Sequence, residues 1–380
     1  MNVLHITDYY LPHGQNWIYP QIVNVPGTTT AVLCRDGSQA EAYPLEGRPL
    51  FCENPPVPWA DRFGRMGRVG VRWICTASAR ARALTWRPHV MHAHFGNLGW
   101  QSLPLKRLLK VPLITTFYGA DAWSLPVISP WHKRYERLFS EGDLFLVEGP
   151  AMRERMIEIG CPPEKLKIRH LGVDLNNVCF TLPDFRKGLS IAMVARFVPK
   201  KGFVDGLRAC FSAASAGVDL RVTIIGDAFG DEEGQAIKRE LIALAETSPL
   251  KGRVYFTGFL PLQEMHSVLS TKNVILCPSK RAPNGDTEGG MPFVLAEAMA
   301  MGLLGIGSRH CDMTELIDHG RTGFLFAEGA VEELAAILIG LPQQFEEATE
   351  LALQGRRHIE IEFDLQRQLS QLSSIYQSNF

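Results

Sequence analysis

Apolar residues along this chain follow two alternating patterns. Short, nearly continuous apolar runs alternate with longer stretches in which apolar residues recur every three or four positions. The first pattern is typical of strands buried on both faces of a sheet, and the second of amphipathic helices. The runs predict strands at 2–7, 30–34, 89–93, 112–116, 144–147, 189–195, 220–226, 253–256, 273–277 and 304–308. Helical periodicity is clearest at 202–217, 234–247 and 291–302.

Strands that alternate with helices predict parallel sheets covered on both faces, the α/β class. A polar stretch at 171–188 separates the two sets of strands. We therefore predict an N-terminal Rossmann-like domain at 1–172 and a C-terminal one at 173–362, facing each other across a cleft. Ligands of such sheets bind beyond the carboxyl ends of the strands. Leucines at helical spacing in 363–380 predict a last helix, which we expect to pack back toward the N-terminal domain.

The composition narrows the class of protein further. The chain has 380 residues, 46% hydrophobic and 21% charged, which excludes disordered, collagen-like and disulfide-rich classes. The run 289–308 contains one charged residue, Glu297, and a carboxylate at mid-membrane costs ~2.5–3.5 kcal/mol, so we predict a buried helix and strand there. The first residues lack a basic start and a long apolar stretch, so we expect no signal peptide. Eight scattered cysteines without a C-x-x-C pair indicate reduced thiols in a cytoplasmic protein.

Charge is distributed unevenly along the chain. Residues 1–170 hold 20 basic and 14 acidic residues (+6), and residues 171–380 hold 19 and 26 (−7), which gives the net charge of −1. The segment 62–110 contains ten Lys and Arg residues, no acid and interleaved apolar residues. It is either a solvated helix face or a surface that meets anionic lipid headgroups at the inner face of a membrane. No nucleic-acid-binding motif accompanies it, so nucleic acid is not expected as a partner.

A polar, glycine-rich stretch at 284–290 lies between a predicted strand and the predicted helix 291–302. Free backbone N–H groups at a helix start bind anions such as phosphate, and here they belong to Gly289, Gly290 and Met291. Glu288 lies in this loop, and Glu297 lies among apolar residues of the helix. A buried carboxylate needs a partner. For Glu297 that partner is either a ligand with hydroxyl groups or the protein backbone.

Two cations and two histidines follow other strands. Arg196 and Lys201 come after the strand 189–195, where a pair of cations suits a diphosphate, although such residues are often merely solvated. His92 and His94 share one face of a strand end, but the spacing places no third metal ligand, so no metal is expected. His92 is equally well explained as a structural histidine. Asp121 is either a cleft residue or a helix N-cap, and His310 either lines the cleft or caps a turn.

Together these stretches resemble the retaining nucleotide-sugar glycosyltransferases of family 4, whose fold is GT-B. The strongest motif of that family appears here as Glu288 followed by Glu297-Ala-Met-Ala-Met-Gly, and a second motif as Ala195-Arg196 followed by Lys201-Gly202. The order and spacing of further motifs fit over nearly the whole chain. These are His92-Ala-His94, Phe117-Tyr-Gly-Ala-Asp121, Ile225-Gly-Asp227, Phe256-Thr-Gly258 and Gly320-Arg-Thr-Gly323.

The resemblance implies a role for each matching residue. Arg196 and Lys201 would hold the donor diphosphate, Glu288 the hydroxyls of the donor sugar, and Glu297 the ribose. The implied catalytic residues are Glu288, Arg196, Lys201 and His94. The implied donor-binding residues are Glu297, Gly289, Gly290, Met291, Gly258 and Asp227, and the acceptor-side candidates are Gly14, Gln15, Tyr118 and Asp121.

The resemblance also implies a reaction. A retaining, metal-independent transfer would move a sugar from a UDP- or GDP-sugar to a lipid-linked or surface glycan, as in the assembly of bacterial exopolysaccharide or lipopolysaccharide. No cofactor is expected. No Asp-x-Asp stands where a metal-diphosphate site would need it.

The sequence departs from the family pattern at three places. Eight residues separate Glu288 from Glu297 where the family has seven, Tyr118 stands where the family often has His, and the amino-terminal loop has a single glycine, Gly14. These departures motivate a second hypothesis, an impaired GT-B protein that binds nucleotide or serves as the scaffold of another glycosyltransferase. A sugar phosphorylase on the same fold ranks third, because no motif for a lysine-bound cofactor is apparent.

Overall fold

The computed structural model describes residues 1–11, 15–54 and 64–378, with only the backbone described for 64–73. The chain forms two compact units. The first contains Met1–Gly172 together with Gln366–Phe380, and the second contains Val173–Leu365. Each unit has its own parallel sheet and its own buried apolar cluster.

The first unit contains a seven-stranded parallel sheet in the order β3-β2-β1-β4-β5-β6-β7. Its strands are β1 (Asn2–Tyr9), β2 (Thr29–Asp36), β3 (Leu50–Cys52), β4 (Val90–His94), β5 (Leu113–Thr116), β6 (Leu144–Val147) and β7 (Leu166–Ile168). Its helices are α1 (Tyr19–Val23), α2 (Gly64–Thr85), α3 (Gly96–Leu109), α4 (Ala120–Trp123), α5 (Trp131–Glu141) and α6 (Pro150–Glu158). The strand order reverses direction between β1 and β4, and ligands of doubly wound sheets bind at such a point.

The second unit repeats this plan with six parallel strands in the order β10-β9-β8-β11-β12-β13. Its strands are β8 (Leu189–Val194), β9 (Leu220–Ile225), β10 (Val254–Gly258), β11 (Val274–Cys277), β12 (Leu304–Ser308) and β13 (Gly323–Phe326). Its helices are α7 (Phe203–Ser215), α8 (Glu232–Ala245), α9 (Leu262–Leu269), α10 (Phe293–Ala300), α11 (Met313–Leu316), α12 (Val331–Gly340) and α13 (Phe345–Glu362). Here the order reverses between β8 and β11.

The last helix, α14 (Leu365–Ser378), belongs to the first unit over nearly its whole length. Leu369, Leu372 and Tyr376 are fully buried, and the Tyr376 hydroxyl forms a 2.7 Å hydrogen bond with Nδ1 of His92 on β4. The Ser373 hydroxyl donates to the carbonyl oxygen of Pro26 at 2.8 Å. The first unit is therefore discontinuous in sequence, and the second is inserted into it.

The predicted α/β class and the division into two sets of strands agree with these sheets. Each of the ten predicted strands is present with its ends shifted by at most two residues, and so are the three predicted helices. The pattern missed three strands, β3, β7 and β13, which all lie at sheet edges. Among the helices described, none is both long and apolar enough to cross a membrane, and 289–308 forms α10 and β12.

Candidate active site

Charged and hydroxyl side chains meet at the carboxyl edge of the second sheet, where β8 and β11 are neighbours. The chain leaves β8 at Val194 and forms a single 3-10 turn, Pro199–Lys201, before α7. It leaves β11 at Cys277 and continues through Ser279. Because the carboxyl ends of neighbouring parallel strands meet at one edge, the turn and the β11 loop lie side by side.

Gly202 permits the close approach of these two segments. Its φ is +63°, and a Cβ at this position would lie 1.8 Å from the carbonyl oxygen of Pro278. A side chain would therefore force the turn away from β11. The glycine after Lys201 sets the position of the Lys201 side chain.

Lys201 and Glu288 form a buried ion pair at this edge. Lys201 Nζ donates to Glu288 Oε2 at 2.7 Å, the Ser279 hydroxyl donates to Oε1 at 2.5 Å, and the Glu288 side chain is 6% exposed. Burial by itself opposes ionisation of this carboxyl. The charge and hydrogen bond of Lys201, with help from Ser279 and Lys200, nevertheless hold the pKa of Glu288 below its usual range. The site therefore contains a fixed ammonium and a fixed carboxylate.

The adjacent Lys200, which the sequence did not single out, holds the next part of the same loop. Its Nζ donates to the carbonyl oxygen of Thr287 at 2.7 Å and lies 3.0 Å from Oδ2 of Asp286. Lys200 is almost fully buried. Two successive lysines therefore fix three successive residues of the loop before α10.

Although eight residues separate Glu288 from Glu297, Glu288 still lies beside Lys201 and Ser279. Gly289 has a φ of +89°, in the left-handed region that glycine enters at little cost. The loop thereby turns between Glu288 and α10, which begins after Pro292 as its N-cap. Glu288 lies against Lys201, and Gly289 and Gly290 connect it along the chain to the buried Met291.

Glu297 is buried on α10, and it faces a histidine that the sequence did not indicate. Oε1 of Glu297 lies 3.6 Å from Nε2 of His266 on α9, and this nitrogen has no hydrogen-bond partner in the structure. The distance is beyond hydrogen-bond range. A ligand hydroxyl between the two groups would satisfy both. His266 comes from a helix with no motif, so no sequence signal identified it.

Arg196 is exposed at the end of β8. Its guanidinium carbon lies 5.8 Å from the ring centre of Phe229, which in turn lies 5.0 Å from the ring of Phe259. Both phenylalanines are exposed. The two rings offer an aromatic surface beside a cation, a combination that no motif in the sequence indicates.

The other two donor-side candidates take structural positions near this surface. Asp227 forms an ion pair with Lys238 of α8 at 2.7 Å, and the hydrogen bond from Lys238 lowers the pKa of this carboxyl. Gly258 ends β10 with a φ of +72°, and its carbonyl oxygen accepts from the backbone N–H of Gly226. This contact joins the loops that follow β9 and β10.

His94 lies in a buried histidine cluster of the first unit. His5 of β1 is paired in register with His92 of β4, and the Nδ1 of His5 forms a 3.0 Å hydrogen bond with the Nε2 of His94. His94 Nδ1 bonds the Tyr118 hydroxyl at 2.7 Å, and His92 Nε2 bonds the Thr116 hydroxyl at 2.7 Å. All three histidines have no exposed surface, and burial lowers the pKa of each, that of His5 to about 3. Burial therefore favours the neutral form of all three imidazoles, and the Tyr118 hydroxyl is the hydrogen-bond partner of His94 Nδ1.

These histidines are also the one group among the described residues that could converge on a metal ion, with ligand atoms within 4.8 Å of one another. The spacing of His92 and His94 did not reveal the third member, His5. Every ring nitrogen of the three except His5 Nε2 is engaged in a hydrogen bond. The hydrogen bonds account for the cluster as a set of neutral imidazoles.

The acceptor-side candidates fall into different positions of the first unit. Tyr118 is buried, with its ring 6.2 Å from that of Trp17. Asp121 is neither an N-cap nor an open carboxylate, since it is the second residue of α4 and accepts backbone hydrogen bonds from Gly96, Tyr118 and Gly119. Burial raises its pKa against the effect of these bonds. Gln15 precedes the turn Asn16–Ile18, and Gly14 lies outside the described residues.

The basic segment 62–110 is partly neutralised by acids from other parts of the unit. Arg80 pairs with Glu53 at 2.7 Å, Lys106 with Asp143 at 2.9 Å, and Arg107 with Glu141 at 2.7 Å. Arg62 and the side chains of Arg65, Arg68 and Arg72 lie outside what the structure describes. The described part of the segment therefore fits a solvated face held by ion pairs.

Comparison with known sequences identifies two family matches, one in each unit. Residues 27–177 match the sequence model of Glycosyltransferase Family 4, and residues 183–358 match that of Glycosyl transferases group 1. The amylovoran biosynthesis glycosyltransferase AmsK of Erwinia amylovora is 32% identical over 315 residues, 82% of this chain and 75% of that protein. The putative colanic acid biosynthesis glycosyltransferase WcaL of Salmonella typhimurium is 32% identical, over 83% and 77% of the two chains.

Solved structures share the whole fold. Anabaena Alr3699/HepE in complex with UDP and glucose superposes with a TM-score of 0.77 over 100% of both chains, at 19% identity. The lipopolysaccharide outer core galactosyltransferase WaaB superposes with a TM-score of 0.70 over 100% of both chains, at 16% identity. The two parallel sheets and these neighbours identify the fold as GT-B, with two Rossmann-like units. The chain belongs to glycosyltransferase family 4, the group 1 glycosyl transferases, and is a glycosyltransferase.

Proposed function

We propose that this glycosyltransferase transfers a sugar from a UDP- or GDP-sugar donor to a lipid-linked or surface glycan during assembly of a bacterial exopolysaccharide. The observation that carries the donor site is the buried pair of Lys201 and Glu288 at the reversal point of the second sheet. Relatives named for amylovoran and colanic acid biosynthesis support the glycan class. Structural neighbours determined with UDP and with UDP-glucose support a nucleotide-sugar donor.

In this proposal Lys201 and Arg196 face the diphosphate, and Glu288 faces the hydroxyls of the donor sugar. Departure of a nucleoside diphosphate develops negative charge, which fixed cations stabilise. The bond between the anomeric carbon and the phosphate oxygen breaks, and the acceptor hydroxyl oxygen bonds to that carbon from the same face. The hydroxyl proton passes to the leaving phosphate oxygen. Configuration is retained and no metal is needed.

Glu297 and His266 form the ribose part of the same site. Their side-chain atoms are 3.6 Å apart and leave the His266 nitrogen unsatisfied. Ribose hydroxyls both donate and accept, so they suit a carboxylate that faces an imidazole. The acceptor would bind at the carboxyl edge of the first sheet, near Gln15 and Tyr118.

Calorimetric titration with UDP, GDP and ADP in EDTA tests the donor site. We expect micromolar affinity for UDP or GDP in the absence of metal, and loss of that affinity in Glu297→Ala. The matched control is Glu315→Ala on α11, which is not one of the residues proposed to bind the donor. Absence of binding by all three nucleotides would favour the alternative, an impaired protein that serves as a scaffold, and a requirement for added Mg²⁺ would contradict metal independence.

The proposal includes peripheral attachment to an anionic membrane surface by the segment 62–110, at about 1 kcal/mol per basic residue near the lipid. Replacing Arg65, Arg68 and Arg72 with Glu should then release the protein from vesicles that contain anionic lipid. The control makes the same charge change at exposed positions of the second unit, Arg186, Lys251 and Arg321. Equal vesicle binding by both triple variants would mean that the segment is a solvated face and does not bind lipid.

A further inference from the structure

A second set of side chains holds the backbone that carries Glu288. His310 follows β12 and is 2% exposed. Its Nε2 accepts the backbone N–H of Glu288 at 3.2 Å, and its Nδ1 lies 2.6 Å from Oε1 of Glu328. An imidazole that accepts a hydrogen bond at Nε2 carries its proton at Nδ1. His310 therefore donates to Glu328 and accepts from the Glu288 backbone at the same time.

Glu328, which follows β13, also holds a second point of the same loop. Its Oε2 accepts the backbone N–H of Arg281 at 2.8 Å. Arg281 and Glu288 both lie in the loop between β11 and α10. One carboxylate therefore holds two points of this loop, Arg281 directly and Glu288 through His310.

The residue after His310 contacts the loop as well. The Cys311 thiol takes part in a hydrogen bond with the Gly289 backbone. Glu288 and Gly289 are thus held by two successive residues that follow β12. Lys200 and Lys201 contact the same loop at Thr287 and Glu288.

We propose that His310 and Glu328 are positioning residues for the donor sugar, acting through the backbone of Glu288. This inference rests on the proposed function, in which the Glu288 carboxylate binds sugar hydroxyls. A loop with one more residue than the family pattern, and with two glycines after Glu288, has many backbone conformations open to it. Productive geometry requires that one of them be selected before the donor binds. The His310–Glu328 pair makes that selection without touching the donor.

Hydrogen exchange of the ligand-free full chain tests the pair without any assumption about the donor. In His310→Ala we expect amides of the segment 286–291 to exchange about tenfold faster, because the Glu288 N–H loses its acceptor. His310→Gln keeps one donor and one acceptor and should return exchange to within about threefold of wild type. The matched control is His319→Ala, which removes an imidazole that accepts the backbone N–H of Leu325. That variant should leave 286–291 unchanged.

Binding measurements then separate positioning of Glu288 from general damage. In His310→Ala we expect the Kd for UDP-glucose to rise about tenfold, while the Kd for UDP changes by less than about twofold, because Glu288 faces only the sugar. If the wild type binds GDP instead of UDP, the same comparison is made with GDP-mannose and GDP. In His310→Gln the Kd for the nucleotide sugar should return most of the way to its wild-type value.

Glu328→Gln provides a second variant should His310→Ala fail to fold. The amide has one oxygen where the carboxylate has two, so either the Nδ1–H of His310 or the backbone N–H of Arg281 loses its acceptor. Exchange at 286–291 should therefore rise in the same direction. Unchanged exchange at 286–291 in the folded variants, or equal weakening of UDP and UDP-glucose binding, would overturn the inference. If the wild type binds no nucleotide, the proposed donor fails, while the exchange data still decide whether the pair holds the loop.

Discussion

The charged side chains of the donor site depend on one another. Lys201 and Glu288 lie 2.7 Å apart with side chains 19% and 6% exposed. Each has lost most of its hydration, and each replaces that hydration with the opposite charge. Removal of one partner from a buried pair strands the other charge, whereas removal of both can be nearly neutral.

We predict that Lys201→Met destabilises the second unit by about 3–5 kcal/mol and that adding Glu288→Gln restores much of this loss. Both variants should lose affinity for the donor. Urea denaturation of the single and double variants measures the first effect, and titration with UDP-glucose the second. Lys251→Met, at an exposed residue 3.8 Å from Glu246, is the control and should cost at most about 1 kcal/mol. Equal destabilisation by the single and double variants would mean that the two charges do not stabilise each other.

The three buried histidines make the first unit sensitive to acid. Burial lowers their pKa values in the folded state, to about 3 for His5, from a starting value of 6.5. In the unfolded chain they take up protons as the pH falls through 6.5, while in the folded state they do not. Proton binding to the unfolded state therefore reduces stability below pH 6.5, and for His5 the loss continues to about pH 3.

We predict that the free energy of unfolding of the first unit falls by about 4 kcal/mol between pH 7.5 and 5.5, about 1.4 kcal/mol for each histidine. His5→Asn should reduce this dependence by about one third. His132→Asn, at an exposed histidine of α5, is the matched control and should leave it unchanged. Denaturation curves at several pH values provide the measurement. A flat pH dependence in the wild type would contradict the assignment of neutral buried imidazoles.

Single residues were predictable where a local motif carried them. Glu288, Lys201 and Glu297 lie in short stretches whose spacing is informative by itself. Four residues were not recognised as contacts of the motif residues, because the two sides of each contact lie far apart in the sequence. These residues are His5, Lys200, His266 and His310. His5 and His94, for example, are 89 residues apart and meet only through the pairing of β1 with β4.

The length of a strand and its position in the sheet together determined whether the apolar pattern revealed it, since the five-residue edge strand β10 was predicted. Central strands are covered on both faces and appear as continuous apolar runs. The missed strands β3, β7 and β13 have three or four residues each and pair on one side only. Few residues and a half-open edge leave too little pattern to separate such strands from loops.

The last helix is an amphipathic element whose apolar face was visible in the sequence. Leu369, Leu372 and Tyr376 have no exposed surface, while Ser370 and Ser374 are exposed. The spacing predicted the helix itself. Its partner in the first unit, the His92 side chain, is 284 residues from Tyr376 and could not be read from the pattern.

We predict that Leu372→Ala lowers the free energy of unfolding of the first unit by about 2–5 kcal/mol, because it leaves a cavity under the helix. Ser374→Ala on the exposed face of the same helix is the control and should change it by less than about 0.5 kcal/mol. Thermal or urea denaturation measures both. Similar small effects of the two substitutions would mean that the helix contributes little to the unit.

For the whole molecule, the sequence predicted the α/β class, but the strand order needed the structure. A parallel pattern is compatible with several orders, and only the observed pairing reveals that both sheets reverse direction beside their first strand. Each unit also has a separate buried apolar cluster. Separate cores allow the two units to unfold in separate transitions.

We predict that a saturating nucleotide raises the transition of the second unit and leaves that of the first unchanged. At 100 times Kd the expected stabilisation is about 2.7 kcal/mol, because the nucleotide binds only the folded unit. Calorimetric scans with and without UDP provide the test, with Glu297→Ala as the variant that should show no shift. An equal shift of both transitions would contradict separate unfolding.

The discontinuity of the first unit has a consequence for synthesis on the ribosome. Domains generally fold as units while the chain emerges at about 5–20 residues per second. The second unit has its complete sequence once Leu365 has emerged, yet the first still lacks the helix that carries Tyr376. The unit translated first is therefore completed last, and until α14 has been synthesised the His92 imidazole on β4 lacks the Tyr376 hydroxyl that it contacts in the folded unit.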